Sequence, residues 1–429
     1  MAEALKFPKG FYWGAATSSH QVEGNCTNND WWAFEQVEGN VKDGTTSGIA
    51  CDHYNRFDED FALQRELGHN SHRFSIEWSR IEPEEGRWDE KEVEHYKRVV
   101  ESLHKHDLTP FVTLHHFTNP IWFAEQGGWT SPKAPDLLER FAGYMARELG
   151  DAVPFWLTIN EPPVLPAASY LAGVHPPAKR DFGLAMKAAR NILISLGRTH
   201  NAIRANVPHD PIIGPVINMS YVMPASDSDE DKQAAQMFDQ YWNGYWLDGI
   251  RDGVIGPPAG DGETVDGLKG AWDIIGLNYY SRTKIAKAGG VMGLRQVPPP
   301  ADAETSTMGW EVFPEGFYQN MLRLKRYGKP VYITENGIGT DDDDQRCSYV
   351  VRHLREVHRA IQDGVDVRSY LHWSSTDNFE WAEGYRQKFG LIAMEGEDLK
   401  RVPKPSAYVF KEMAEANSIT ANLVDRYLE

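Results

Sequence analysis

Two carboxylates in this 429-residue chain stand where short apolar strands run out. In VYITENG, residues 331–337, Val331, Tyr332, Ile333 and Thr334 are β-branched or aromatic, with Pro330 before them and Asn336–Gly337 after them. That is the pattern of a short buried strand closed by a turn, and Glu335 is its carboxylate. FWLTINEPP, residues 155–163, repeats the grammar: strand residues lead to Asn160 and Glu161, and two prolines forbid continuation. Two carboxyl groups on opposite sides of one bond, one donating a proton and the other attacking or activating water, are what cleavage of a glycosidic bond requires.

The elements that must hold these groups alternate along the chain. Strand patterns fall near 11–16, 72–78, 109–115, 153–160, 212–219, 273–279, 330–335 and 367–373. Helical patterns lie between them, at 56–67, 89–106, 134–149, 183–205, 230–247, 315–327, 346–362 and 405–416. Eight βα units with apolar strands imply an α/β fold, a single (β/α)8 TIM barrel over 1–429 whose site lies at the carboxyl ends of the strands. An open doubly wound sheet would also alternate, but no GxGxxG or Walker-type loop follows a strand. A bare barrel needs about 250 residues, leaving roughly 180 extra. They concentrate after strands, in 17–54, 116–132, 161–182, 281–313 and 374–402, which makes them long βα loops on the catalytic face. The four-Asp run at 341–344 reads as a solvated loop, with a spacing unlike a calcium loop.

Composition narrows the partners. With 41% hydrophobic and 25% charged residues the chain is an ordinary globular one, and a net charge of −18 leaves no basic stripe for nucleic acid or an anionic membrane. Fourteen Trp, eighteen Tyr and eighteen Phe supply faces on which sugar rings can stack. MAEALKFPKGFYWG does not read as a secretory signal and no window suits a membrane span, so the expected location is cytoplasmic. Cys26, Cys51 and Cys347 lack CxxC spacing, which argues for structural thiols and against a disulfide framework or a zinc site.

Taken together, the strand-end residues resemble glycoside hydrolase family one, the β-glucosidase family, from Phe11 to the final helix. TINEP at 158–162 matches the family's acid/base motif and ITENG at 333–337 its nucleophile motif. The resemblance therefore implies Glu161 as general acid/base and Glu335 as nucleophile. It implies Arg73 of HRFSIEW as the cation beside the nucleophile, and Tyr280 of LNYY as a further donor to it. By the same resemblance Gln21, His116, Asn160, Asn278, Trp373, Glu380 and Trp381 bind the sugar, and Trp310 lines the aglycone side. A cation within about 4–6 Å would keep Glu335 ionised, and an ionised Glu335 would keep Glu161 protonated and ready to donate.

The implied activity is that of a retaining exo-β-glycosidase acting on small β-glucosides, with galactosides and fucosides as further candidates. No metal and no organic cofactor is implied, and the oligomeric state stays open. A catalytically silent sugar-binding barrel would have lost a carboxylate. A phospho-β-glycosidase would carry small and cationic residues where Glu380 and Trp381 stand, since a carboxylate near the sugar O6 repels phosphate. Two departures from the family pattern stand out. HHFTNP has Phe117 and Thr118 where a tryptophan and an aspartate are common. Glu77 occupies a position where a small residue is common, shares strand parity with Arg73, and is expected to pair structurally with an arginine.

Overall fold

The computed structural model describes residues 3–289 and 293–428; residues 290–292, within the long loop expected over 281–313, lie outside the described residues. The eight strand patterns become β1 (Tyr12–Ala16), β2 (Ser71–Ser75), β3 (Thr109–His115), β4 (Phe155–Asn160), β5 (Ile212–Asn218), β6 (Ile275–Asn278), β7 (Val331–Asn336) and β8 (Val367–Trp373). Each is parallel to the next, and β8 pairs with β1, closing a (β/α)8 barrel. The strands are buried almost throughout because helices cover the outside while the inside is filled with side chains.

The filling has two storeys. At the floor Tyr12, Phe111, Phe155 and Tyr332 meet, with the Phe111 and Phe155 rings 4.1 Å apart and nearly parallel. Each fully buried ring of this kind stabilises the fold by roughly 1.5–3 kcal/mol. Above them the same inward alternation brings Arg73 and Thr113 into a polar storey, and Arg73 has no solvent exposure at all. A hydrophobic floor under a polar ceiling decides that the chemistry can sit only at the upper rim.

The principal helices are α1 (His53–Glu66), α2 (Glu90–Lys105), α3 (Ala134–Leu149), α4 (Phe182–Asn206), α5 (Asp229–Asp239), α6 (Tyr245–Asp252), α7 (Pro314–Leu324), α8 (Asp343–Gln362) and α9 (Pro405–Ala416). The single helix expected over 230–247 is interrupted between α5 and α6 by a widened π turn, Gln240–Gly244. The Asp run is solvated, as expected, but its second half is helix rather than loop. Asp342 caps α8, accepting from the backbone N–H of Asp344 (3.0 Å) and Gln345 (3.4 Å), while Asp343 and Asp344 occupy the first turn, where the helix dipole favours negative charge.

Among the rim loops, Tyr221–Pro224, Arg282–Lys287 and Leu294–Val297 form a small three-stranded sheet beside the barrel mouth. Gly337 is dictated by contact: a Cβ there would lie 1.8 Å from the carbonyl oxygen of Trp373, so only glycine lets the end of β7 run against β8. The three cysteines are free and buried. Among the described residues no helix is long and apolar enough to cross a membrane.

Candidate active site

Glu335 lies one residue before the end of β7 and Glu161 follows β4, so both carboxylates arrive at the same rim. Bulges place them there. The β6–β7 register slips between Leu277 and Asn278, setting Asn278 opposite Glu335, and the β4–β5 register slips just before Asn160. Glu161 itself adopts a left-handed backbone, φ +47°, a conformation costing on the order of 1–3 kcal/mol in a non-glycine residue. Pro162 disfavours the right-handed alternative for the residue before it. The turn is locked by Glu161 N–H donating to Val216 O (2.8 Å) and by Glu161 C=O accepting from Val164 N–H (2.9 Å).

Arg73 ties the rim together. Its Nη1 donates to Glu335 Oε1 at 2.6 Å and to Thr334 O at 3.2 Å, its Nη2 to Asn160 Oδ1 at 2.7 Å, and its Nε to Thr113 Oγ1 at 3.0 Å. The other oxygen of Glu335 accepts from Tyr280 O–H at 2.5 Å. Asn278 Nδ2 donates to Glu161 Oε1 at 2.9 Å and to Asn160 Oδ1 at 3.3 Å. Because Asn160 Oδ1 accepts from Arg73, its amide nitrogen faces His116 Nε2 at 3.0 Å, which leaves the imidazole proton on Nδ1. Burial, with the Arg73 charge behind it, pushes His116 well down and keeps it neutral. Among the described residues that Nδ1 has no partner.

The three carboxyls of the site feel opposed forces. Burial raises Glu335 above the ordinary carboxyl range, against the pull of the Arg73 guanidinium and the Tyr280 hydroxyl. Glu161 is lifted to about 8, by burial first and then by the charge of Glu335. Glu380 is also lifted to about 8, by burial and by Glu335, while the Trp373 indole N–H and the Gln21 amide pull it back. Carboxyls raised on folding contribute stability that is full below their unfolded value and is lost as pH rises towards the folded one. The double variant Glu161→Gln, Glu380→Gln should therefore melt with the parent near pH 4 and above it near pH 8. Calorimetric scans across that range check it, and equal melting temperatures at both pH values would contradict the assignment of these shifts.

A cavity of about 830 Å³ opens over this cluster. His116, Asn160, Glu161, Tyr280, Glu335, Trp373, Glu380, Trp381 and Trp310 line it, as does Phe117. Trp373 and Trp381 flank the His116 ring in near-parallel stacks with centroids 5.8 and 6.0 Å away, and Trp310 lies 5.4 Å from Tyr280. Arg73, Asn278 and Gln21 do not line the cavity. Gln21 is fully buried, its Oε1 accepting from Ser18 (2.7 Å) and its Nε2 donating to Phe379 O (2.9 Å) and Glu380 Oε2 (3.2 Å).

Glu77 departs from expectation. Arg73 is committed elsewhere, and among the described residues no arginine or lysine pairs with Glu77. Its carboxylate accepts instead from Ser19 (2.9 Å), Ser79 (2.6 Å), Thr118 (3.0 Å) and Asn29 (3.4 Å). Three hydroxyls and an amide satisfy it without a cation, and Thr118 is one of them. A residue the sequence reading passed over is Asn218, at the end of β5, which lines the cavity with Glu161 and opposes the rise of its carboxyl. Its signal was available: it ends IIGPVIN as Asn160 ends FWLTIN.

Two buried carboxyls of unlike environment at one rim, beneath aromatic walls, can protonate a leaving group and attack the carbon it leaves. The comparisons agree with that chemistry. The sequence pattern of Glycosyl hydrolase family 1 matches residues 3–419. A 1,4-beta-D-glucan glucohydrolase of Thermotoga neapolitana is 35% identical over 97% of this chain and 99% of its own. Beta-glucosidase A of Thermotoga maritima is 36% identical over 96% and 99%. The solved beta-glycosidase from Pyrococcus horikoshii superposes with a TM-score of 0.92 at 36% identity, covering 99% of this chain and 98% of that one. With its carboxyl pair, its closed barrel and a match running almost from end to end, the chain is a glycoside hydrolase and belongs to glycosyl hydrolase family 1.

Proposed function

We propose that the chain is one catalytic domain that hydrolyses small β-glucosides, and β-galactosides or β-fucosides as further substrates, with retention at the anomeric carbon. One observation supports the mechanism above the others: the two carboxyls share a rim but not an environment, Glu335 being held by Arg73 Nη1 at 2.6 Å and by Tyr280 O–H at 2.5 Å while burial and the charge of Glu335 lift Glu161 to about 8. A carboxylate anchored by a cation beside a carboxyl kept protonated is the pair that a double displacement needs, with the two groups expected about 5–5.5 Å apart.

In this reading Glu335 attacks the anomeric carbon while Glu161, protonated, donates to the departing oxygen. The resulting ester neutralises Glu335 and removes one of the influences that raise Glu161. Glu161 then ionises and takes a proton from the incoming water, so one residue serves both half-reactions. Arg73 and Tyr280 hold Glu335 for attack. Glu380 accepts from hydroxyls of the sugar, held in place by Gln21, and His116 Nδ1–H and Asn160 supply further polar contacts. Trp373 and Trp381 cover apolar sugar faces, and Trp310 faces the aglycone. Proton NMR of the first product released from a β-glucoside tests the mechanism. The β-anomer of glucose should appear first and mutarotate later; α-glucose as first product would exclude a double displacement.

A further inference from the structure

Outside the carboxyl cluster, the cavity lining has a charge pattern of its own. Its lining carries four cationic side chains, Lys42, Arg180, Arg282 and Lys284, against two carboxylates, Glu311 and Glu383. Two of the cations are neutralised. Lys42 pairs with Glu383, and Arg282 Nε donates to Glu311 Oε2 at 2.7 Å with its guanidinium 3.9 Å over the Phe313 ring. The other two have no counter-charge among the described residues. Arg180, which is exposed, makes one hydrogen bond, from Nε to Ala172 O at 3.2 Å, which leaves its terminal nitrogens unengaged. Lys284 is half-buried on the strand Arg282–Lys287, two residues beyond the paired Arg282 and opposite Val297.

A cation without a counter-charge at a cavity wall is free to meet an anionic group of whatever enters. The setting sharpens the point, since the chain as a whole carries −18 and its mean field repels anions. Any anion admitted to this cavity needs local cations, and these two stand at its wall. The rest of that wall is apolar and aromatic. Phe238 and Trp242 stack with centroids 5.7 Å apart at 11°, and Trp242 belongs to the widened turn between α5 and α6. Its indole N–H is buried and has no partner among the described residues. Val174, 48% exposed, and Pro299 extend the apolar surface.

We propose that this part of the lining selects an aromatic aglycone bearing a carboxylate, with the ring against Phe238 and Trp242 and the anionic group at Lys284 or Arg180. The proposal rests on the β-glycosidase reading and narrows its substrate class. A second neutral sugar as aglycone would use the aromatic faces but leave both cations unanswered.

The test compares kcat/KM for 4-carboxyphenyl and 4-(2-carboxyethenyl)phenyl β-glucosides, each against its own primary amide. The ratio within each pair cancels any general change in activity. At low ionic strength the enzyme should favour at least one acid over its amide by about tenfold, the effect of one charge-assisted hydrogen bond. That preference should shrink on adding salt and approach unity in the double variant Lys284→Met, Arg180→Met, while Lys284→Arg retains it. An acid no better than its amide in both pairs, or a preference that survives in the double variant, would overturn the proposal. Failure to hydrolyse p-nitrophenyl β-glucoside or any of the four would instead bring down the β-glycosidase reading and this one with it.

Discussion

Glu161→Ala, given 2,4-dinitrophenyl β-glucoside, should release one equivalent of dinitrophenolate in a burst and then stall. The phenolate leaves without protonation, so the first displacement needs only Glu335; the second needs a base to activate water, and that base is gone. On an alkyl or sugar glycoside, where the leaving oxygen must be protonated, the same variant should lose about 10²–10⁴-fold in kcat/KM. Azide requires no base. It should restore turnover of the dinitrophenyl substrate and yield the β-glycosyl azide, having attacked the ester from the face opposite Glu335. Glu335→Ala forms no ester and should show no burst; azide entering the vacated space would give the α-glycosyl azide. The two anomers separate the roles of residues whose loss otherwise looks alike. A common anomer from both variants, or a burst retained by Glu335→Ala, would reverse the assignment.

Arg73→Met should be the most damaging change outside the carboxyl pair. Arg73 is wholly buried and donates to partners on three other strands, Thr113, Asn160 and the Thr334–Glu335 pair. Removing it strands a buried carboxylate, which costs about 3–5 kcal/mol. The pH dependence identifies the cause. Arg73 is the foremost influence opposing burial at Glu335, so without it the Glu335 carboxyl rises further. Stability tied to a raised carboxyl is full below its unfolded value and is lost as pH rises through the folded one. The variant's deficit in melting temperature should therefore be largest at neutral pH and narrow towards pH 4, and the acid limb of kcat/KM should move to higher pH. A deficit independent of pH would mean that Arg73 acts through packing alone. Lysine should rescue in part, because an ammonium cannot span Glu335 and Asn160 together as the guanidinium fork does.

The strand patterns were legible because a buried parallel strand is a local run of β-branched and aromatic residues, so all eight barrel strands and their carboxyl-end residues could be read in order. Glu161 and Glu335 were visible for the same reason: each ends such a run, and proline or Asn-Gly marks the stop. What depends on partners distant in sequence was not legible. That Glu77 is satisfied by Ser19, Ser79, Thr118 and Asn29 rather than by an arginine follows from which loops fold over β2, and strand parity cannot report it. Gln21 stands behind Glu380 because the loop after β8 closes on it from more than three hundred residues away. The Asp run, exposed as read, also caps α8, which a local pattern of charges could not report, since only a formed helix end offers unpaired N–H groups for Asp342 to accept from. The turn that carries Trp242 into the cavity interrupts a periodicity that reads as one continuous helix. Periodicity along the chain determined where the strands and their terminal carboxylates lie; the tertiary structure decided which groups share a hydrogen bond, and so how each carboxylate is charged, because those partners come together only when the barrel closes.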